Sequence, residues 1–172
     1  MNEKMTVQWF PGHMAKTRRL IKESLPLVDA VCEITDARLP ESSRNPEIDE
    51  LIGDLPLVLV MNLQSSMVWS EIEPSADAIL VSFGGGRTHS ARDEILFEII
   101  AGNYEPSALL PMQQPIDMET VEAQYEDVPR DMECYVDADG NVYDFTFGLN
   151  WSGKIEDERV EKYYVDPIVG TN

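Results

Sequence analysis

The sequence predicts an α/β fold in which a parallel sheet with helices precedes a small acidic C-terminal segment that contains a β-hairpin. Short continuous apolar segments separated by helical patterns predict the sheet, because strands covered on both faces are apolar throughout. Aromatic and β-branched residues around the Asp139-Gly140 turn predict the hairpin. The chain accordingly divides into an α/β segment 1–102, a Pro-rich acidic linker 103–131 and a hairpin segment 132–172.

The α/β pattern begins with a helix over about residues 12–25, where apolar side chains recur at helical spacing until Pro26 ends it. The apolar segment 28–34 then predicts a buried strand. Asn45 before Pro46 predicts the start of a second helix, because proline fits the first helical position.

Two further strands are predicted at residues 55–61 and 78–82. The next helix begins near Ser90, which starts a capping-box pattern, and ends near Gly102, which suits a C-terminal cap. Residues 155–164 fit a helix and a strand equally well.

Charge is distributed unevenly along the chain. The 172 residues include 13 basic and 32 acidic side chains, a net charge of −19, which argues against a general nucleic-acid binder or a protein of anionic membrane surfaces. Residues 1–70 carry a net charge of −3 and residues 71–172 carry −16, yet residues 1–22 are locally +4. The first predicted helix therefore presents a basic face, formed by Lys16, Arg18, Arg19 and Lys22.

The sequence also predicts where the protein works. No apolar run approaches the ~20 residues that span a bilayer, and the first residues lack the apolar region of a signal peptide, so no membrane contact and a cytoplasmic location are expected. Cys32 and Cys134 lie far apart without metal-ligand spacing, and neither a disulfide framework nor a metal site is expected.

The acidic residues of the C-terminal part support two alternatives. Their carboxylates can imitate the charge spacing of a nucleic-acid backbone and bind a basic protein partner, as anti-CRISPR or antitoxin-like inhibitors do, or they can form a solvated surface that confers solubility. The residues of this acidic face are Glu122, Glu126, Asp127, Asp131, Asp137, Asp139, Glu156, Asp157 and Glu158.

Motifs near the N-terminus resemble a known family. Residues 7–16 are Val-Gln-Trp-Phe-Pro-Gly-His-Met-Ala-Lys, followed by Asp-Ala-Arg at 36–38 and Ser-Ser-Arg-Asn-Pro at 42–46. In this order they resemble the opening of circularly permuted ribosome-assembly GTPases of the ribosome biogenesis GTPase A type. The resemblance is dense over about residues 5–62 and loose to about 102. It implies a partial Rossmann-like, G-domain-like sheet and contact with the ribosome or ribosomal RNA through the basic face.

The guanine-reading motif of that family is degenerate in this chain. Asn62-Leu63-Gln64-Ser65 stands where the family has Asn-Lys-x-Asp after a strand. The Asp of that motif accepts two hydrogen bonds from guanine, and Ser65 is not a bidentate acceptor, so guanine selectivity should be largely lost. Ser82 matches the family's next loop by position, although the three glycines at 84–86 also fit an ordinary flexible turn.

A segment late in the chain resembles a phosphate-binding loop. Gly148-Leu149-Asn150-Trp151-Ser152-Gly153-Lys154 matches G-x-x-x-x-G-K, which would make Gly148, Gly153 and Lys154 nucleotide-binding candidates. Ile155, however, replaces the hydroxyl residue that holds magnesium, and carboxylates follow it directly. A hairpin ending in a glycine-containing turn is the favoured interpretation. GTP and magnesium are therefore expected as cofactors only if this degenerate site functions.

His13 matches a family residue that positions the attacking water during hydrolysis. Without a guanine reader, a metal ligand or an intact phosphate loop, that water has no γ-phosphate to attack, and a structural role beside Trp9 and Phe10 is favoured. The sequence therefore predicts a non-catalytic binding protein that resembles part of a ribosome-assembly GTPase and hydrolyses no GTP. The alternative is the acidic inhibitor described above.

Overall fold

The fold is mixed α/β, as the sequence predicted, in a computed structural model that describes residues 12–35, 47–83 and 89–164. Three strands form a parallel sheet in the order β1-β2-β3. They are β1 (Val31–Thr35), β2 (Leu57–Leu63) and β3 (Ala78–Phe83). A small antiparallel sheet near the C-terminus pairs β4 (Leu149–Asn150) with β5 (Gly153–Lys154).

One helix connects β1 to β2, and the others precede the sheet or follow it into the C-terminal part. They are α1 (Gly12–Ser24), α2 (Ile48–Ile52), α3 (His89–Ile100), α4 (Met118–Ala123) and α5 (Glu158–Tyr163). Short 3₁₀ turns cover Leu25–Leu27 and Glu73–Ser75. Asp117 and Asp157 cap α4 and α5, because each carboxylate accepts a backbone N–H from the first turn of its helix.

The hydrophobic core lies against one face of the parallel sheet. Alternate side chains of β2 supply its centre, where Leu59 and Met61 have no exposed surface and Leu57 and Leu63 have about 2%. Trp69 and Ile72, which follow β2, extend the cluster. Tyr135 belongs to the same cluster, so the C-terminal part shares the core of the sheet.

Residues 110–116 of the segment predicted as a linker pack against the C-terminal part. Their backbone pairs with it: the Leu110 N–H donates to Phe147 O, the Gln114 N–H to Tyr143 O and the Tyr135 N–H to Gln114 O. Gln113, Gln114 and Pro115 are buried. The boundaries at residues 102 and 131 stay predictions.

The antiparallel pairing around the Asp-Gly turn is shorter than the sequence predicted. Val136 and Val142 form an isolated antiparallel bridge, and the Asp137 carboxylate accepts the N–H groups of Asp139 and Asn141 across the turn. The Asp137 N–H donates to Asn141 O and the Tyr143 N–H to Tyr135 O. Both sides of the turn also pair with residues 110–116, since Gln114 bonds to Tyr135 and to Tyr143.

Candidate functional site

The parallel sheet brings two predicted site residues together. Asn62 and Ser82 are neighbours in the register of β2 and β3, near the carboxyl ends of both strands. Asn62 is exposed and Ser82 is half-buried. Ligands of open α/β sheets bind beyond this end of the strands, so the two side chains occupy a suitable position for a ligand contact. Their role in nucleotide binding stays a prediction.

The residue directly after Asn62 is built into the core. Leu63 is about 2% exposed, so its side chain packs in the hydrophobic cluster and is not available to a base. Ser65 is exposed and carries no carboxylate. The chain then turns inward, and Trp69 is about 2% exposed.

Two glutamines from the segment 110–116 hold the loop that follows β2. The Gln114 carbonyl oxygen Oε1 accepts the Trp69 indole N–H at 2.9 Å and the Met67 backbone N–H at 3.2 Å. The Ser66 hydroxyl donates to the backbone carbonyl oxygen of Gln113 at 2.6 Å. This loop is therefore ordered by contacts within the chain.

An aromatic stack joins that loop to the C-terminal part. The Tyr143 ring stacks on Trp69 at 5.8 Å and on Tyr135 at 5.3 Å between centroids, and the Tyr135 hydroxyl donates to Glu73 Oε2 at 2.7 Å. Burial and then the Glu73 carboxylate raise the pKa of Tyr135 to about 12. Burial also raises the pKa of Tyr143, so both phenols are neutral at physiological pH.

The segment that resembles a phosphate-binding loop is an antiparallel hairpin. Leu149 pairs with Lys154 and Asn150 pairs with Gly153, and Trp151-Ser152 form the turn between them. A phosphate-binding loop instead wraps its backbone N–H groups around the ligand and leads into a helix. Here Ile155 is buried, and its N–H donates to Gly148 O at 2.9 Å. Gly153 and Lys154 therefore lie in a different sheet from Asn62 and Ser82, and Gly148 directly precedes β4.

The four cations of the predicted basic face differ in exposure. Lys16, Arg19 and Lys22 are exposed and follow one another at three-residue intervals along one side of the helix. Arg18, one turn before Lys22 and next to it on the helix surface, is half-buried towards α2, where its Nη1 is 3.5 Å from Glu47 and its Nη2 is 4.0 Å from Glu50. Sequence reasoning missed these partners, because nothing in the local pattern of α1 indicates contact with residues 47–50.

Arg19 also has an acidic neighbour within its own helix. Its Nε lies 3.6 Å from Glu23 Oε1, four residues further along α1, and both side chains are mostly exposed. Such a pair is weak in water. His13 lies in the first turn of α1, and its side chain lies outside what the structure describes.

Three carboxylates of the predicted acidic face are engaged within the chain. Asp131 accepts the Tyr125 N–H, Asp137 holds the turn described above, and Asp157 caps α5 and binds Arg159. Hydrogen bonds from Arg159 lower the pKa of Asp157. The other residues of the face are exposed, and these are Glu122, Glu126, Asp127, Asp139, Glu156 and Glu158.

Within residues 12–35, 47–83 and 89–164, no group of three or more His, Cys, Asp or Glu side chains has an arrangement able to hold a metal ion. Cys134 is buried beside Gln113, whose amide donates to Sγ at 3.2 Å. Burial and the Asp144 carboxylate raise the pKa of Cys134 to about 11, so its thiol is not a nucleophile at neutral pH. Of the helices in the described ranges, none is both long and apolar enough to cross a bilayer.

Comparison with known proteins confirms the resemblance of part of the chain. Over 58 residues the chain is 59% identical to ribosome biogenesis GTPase A of Priestia megaterium and 60% identical to that of Bacillus cereus. Part of this chain resembles a ribosome biogenesis GTPase. Mouse mitochondrial ribosome-associated GTPase 1 is 53% identical over 55 residues. No family model matches the chain.

The similarity to the ribosome biogenesis GTPases covers a limited part of both partners. The aligned residues are 34% of this chain and 20% of the Priestia and Bacillus cereus proteins, and for the mouse protein they are 32% and 17%. The chain therefore matches about a fifth of the length of these relatives. The relationship is GTPase-like over that part.

Proposed function

We propose that this chain is a non-catalytic binding protein that associates with the ribosome by contacting ribosomal RNA through Lys16, Arg19 and Lys22. The observation that carries the proposal is the exposed row of these three cations along one side of α1. Phosphate contacts by Lys and Arg supply most of the affinity of sequence-independent RNA binding. The partial similarity to proteins named for the ribosome supports this choice of partner. A cytoplasmic location is part of the proposal.

Arg18 has a different role in this proposal. Its ion pairs with Glu47 and Glu50 tie α1 to α2, so Arg18 positions the helix while the other three cations face outward. The remainder of the chain is strongly acidic and repels RNA, which restricts the contact to this one surface.

The absence of GTP hydrolysis is part of the proposal. Ser65 in place of the guanine-binding Asp, the burial of Leu63 and the hairpin geometry of Gly148–Lys154 all support it. Titration of the protein with labelled GTP in the presence of magnesium should show no saturable binding in the micromolar range. Micromolar affinity would overturn the claim that the nucleotide site is degenerate.

Co-sedimentation with purified ribosomes tests the RNA contact. We expect K16E/K22E to lower association about tenfold or more, because each lost phosphate contact weakens binding and reduces its salt dependence. The matched control is K154E/K162E, which changes the net charge equally at exposed lysines elsewhere. Equal losses in both double variants, or no loss in either, would contradict the proposal.

The acidic inhibitor remains the competing hypothesis, supported by the six exposed carboxylates of the acidic face. This hypothesis requires that the chain binds a basic protein, that K16E/K22E does not weaken the complex, and that nucleic acid displaces the chain from the basic protein. Neutralising two of those carboxylates, as in Glu122→Gln and Glu126→Gln, should weaken such a complex and leave ribosome association unchanged.

A further inference from the structure

The hairpin of β4 and β5 is firmly held at its base. Phe147 and Ile155, which flank the hairpin, are about 8% and 6% exposed. Gly148 approaches Ala108 so closely that an added Cβ would lie 2.4 Å from the Ala108 carbonyl oxygen. The hairpin therefore projects from buried anchors on both sides.

The tip of the hairpin is also fixed by its own contacts. The Ser152 N–H donates to Asn150 Oδ1 at 2.8 Å, and Gly153 adopts a φ of 110° that favours glycine. On this turn Trp151 is about 60% exposed, and Leu149 is about 45% exposed two residues before it. A large apolar side chain on a preorganised turn loses little entropy when a partner covers it, and Trp is enriched at the centres of interfaces.

The charge of the C-terminal part selects the class of partner. Glu156 and Glu158 follow β5 and are exposed, whereas Asp157 between them is bound to Arg159. Residues 71–172 carry a net charge of −16, which repels RNA and a second copy of the same tail but attracts a basic protein. Lys154, the exposed cation of the hairpin, pairs with Leu149 across the strands.

We propose that Trp151 and Leu149 form the apolar anchor of a docking surface for a basic protein, whose Lys or Arg side chains pair with Glu156 and Glu158. This inference goes beyond the proposed RNA contact, because it concerns a separate surface at the other end of the chain. It also gives a role to the segment that resembles a phosphate-binding loop.

Two short peptides test this proposal with the full-length chain. One alternates lysine pairs with leucines, and the other has serine in place of each leucine, so the two have equal charge and only one can fill an apolar contact. We expect the leucine peptide to bind about tenfold more tightly, and Trp151→Ala to remove that preference, since truncating an interface Trp commonly has effects of this size. Trp151→Phe should retain part of it.

Phe97→Ala is the matched control, because Phe97 is about 61% exposed on α3. It should leave the preference unchanged. The proposal is overturned if both peptides bind equally, if Phe97→Ala acts like Trp151→Ala, or if a single-stranded RNA oligonucleotide binds in a Trp151-dependent way. K16E/K22E should not alter peptide binding, so failure here is distinguishable from failure of the ribosome contact.

Discussion

Replacing Gln114 by Leu should destabilise the whole chain. Gln114 has no exposed surface, and its Oε1 is the acceptor for the Trp69 indole N–H and the Met67 backbone N–H. Leucine has a similar size but no acceptor, so both donors lose their partner. A buried donor without a partner costs about 1–3 kcal/mol, and the partly buried Met67 N–H adds a smaller amount, so we expect a loss of about 2–4 kcal/mol.

Urea denaturation followed by circular dichroism and tryptophan emission measures this loss. A change of this size lowers the midpoint of thermal unfolding by about 4–16 °C in a domain of this length. Gln64→Leu is the matched control, because Gln64 is exposed on the same loop, and it should change stability by less than about 0.5 kcal/mol.

A double-mutant cycle identifies the hydrogen bond responsible. Trp69→Phe keeps an aromatic ring in the stack and removes the indole donor, so Gln114→Leu should cost about 1 kcal/mol less in that background. If Gln114→Leu is within about 0.5 kcal/mol of the unmodified chain, the contact between residues 110–116 and the loop after β2 contributes nothing, and the reasoning is refuted.

Two further predictions concern the C-terminal part. Gly148→Ala should lower stability by about 1–3 kcal/mol in thermal unfolding, because the added Cβ meets the Ala108 carbonyl oxygen. The control is Gly12→Ala, whose Cβ meets nothing within 4 Å, and it should be neutral or slightly stabilising. Equal effects of the two substitutions would contradict the close approach of Gly148 to Ala108. The raised pKa of Tyr135 keeps its phenol neutral in the folded state, so its contribution to stability is complete below about pH 10 and is lost as pH rises towards 12. Tyr135→Phe should flatten this alkaline loss in unfolding measured against pH, and an unchanged slope would exclude Tyr135 as its source.

The parallel sheet could be predicted from the sequence because its strands are short apolar segments between clear helix signals. The predicted strands at 28–34, 55–61 and 78–82 differ from β1, β2 and β3 by at most three residues at either end. Parallel pairing then places Asn62 beside Ser82 without further information.

The packing of residues 110–116 could not be predicted in the same way. Prolines at 111 and 115 and two consecutive glutamines indicate a loop, and no periodic pattern marks Gln114 as buried. Its burial depends on donors that lie 45 and 47 residues away along the chain, at Trp69 and Met67. Local sequence patterns do not indicate contacts with residues so far away along the chain, and the same limit applies to Arg18 and its partner Glu47.

The hairpin at 149–154 illustrates a different limit. The spacing of Gly148, Gly153 and Lys154 fits a phosphate-binding loop as well as a turn. The hydrogen bond between Asn150 and Ser152 and the burial of Ile155 distinguish the two, and both are visible only in three dimensions.

Membership of Tyr135 in the core cluster has a consequence for how this chain can change. The dense part of the predicted resemblance to the GTPases ends near residue 62, within β2, whereas the core that surrounds β2 includes Tyr135, more than 70 positions later. The segment that resembles the GTPases therefore ends well before the segment that completes the hydrophobic core. Shortening the chain to its GTPase-like part would remove Trp69 and Ile72 together with Tyr135 and expose the face of β2 that they cover, so that part can be exchanged between proteins only together with a replacement cover.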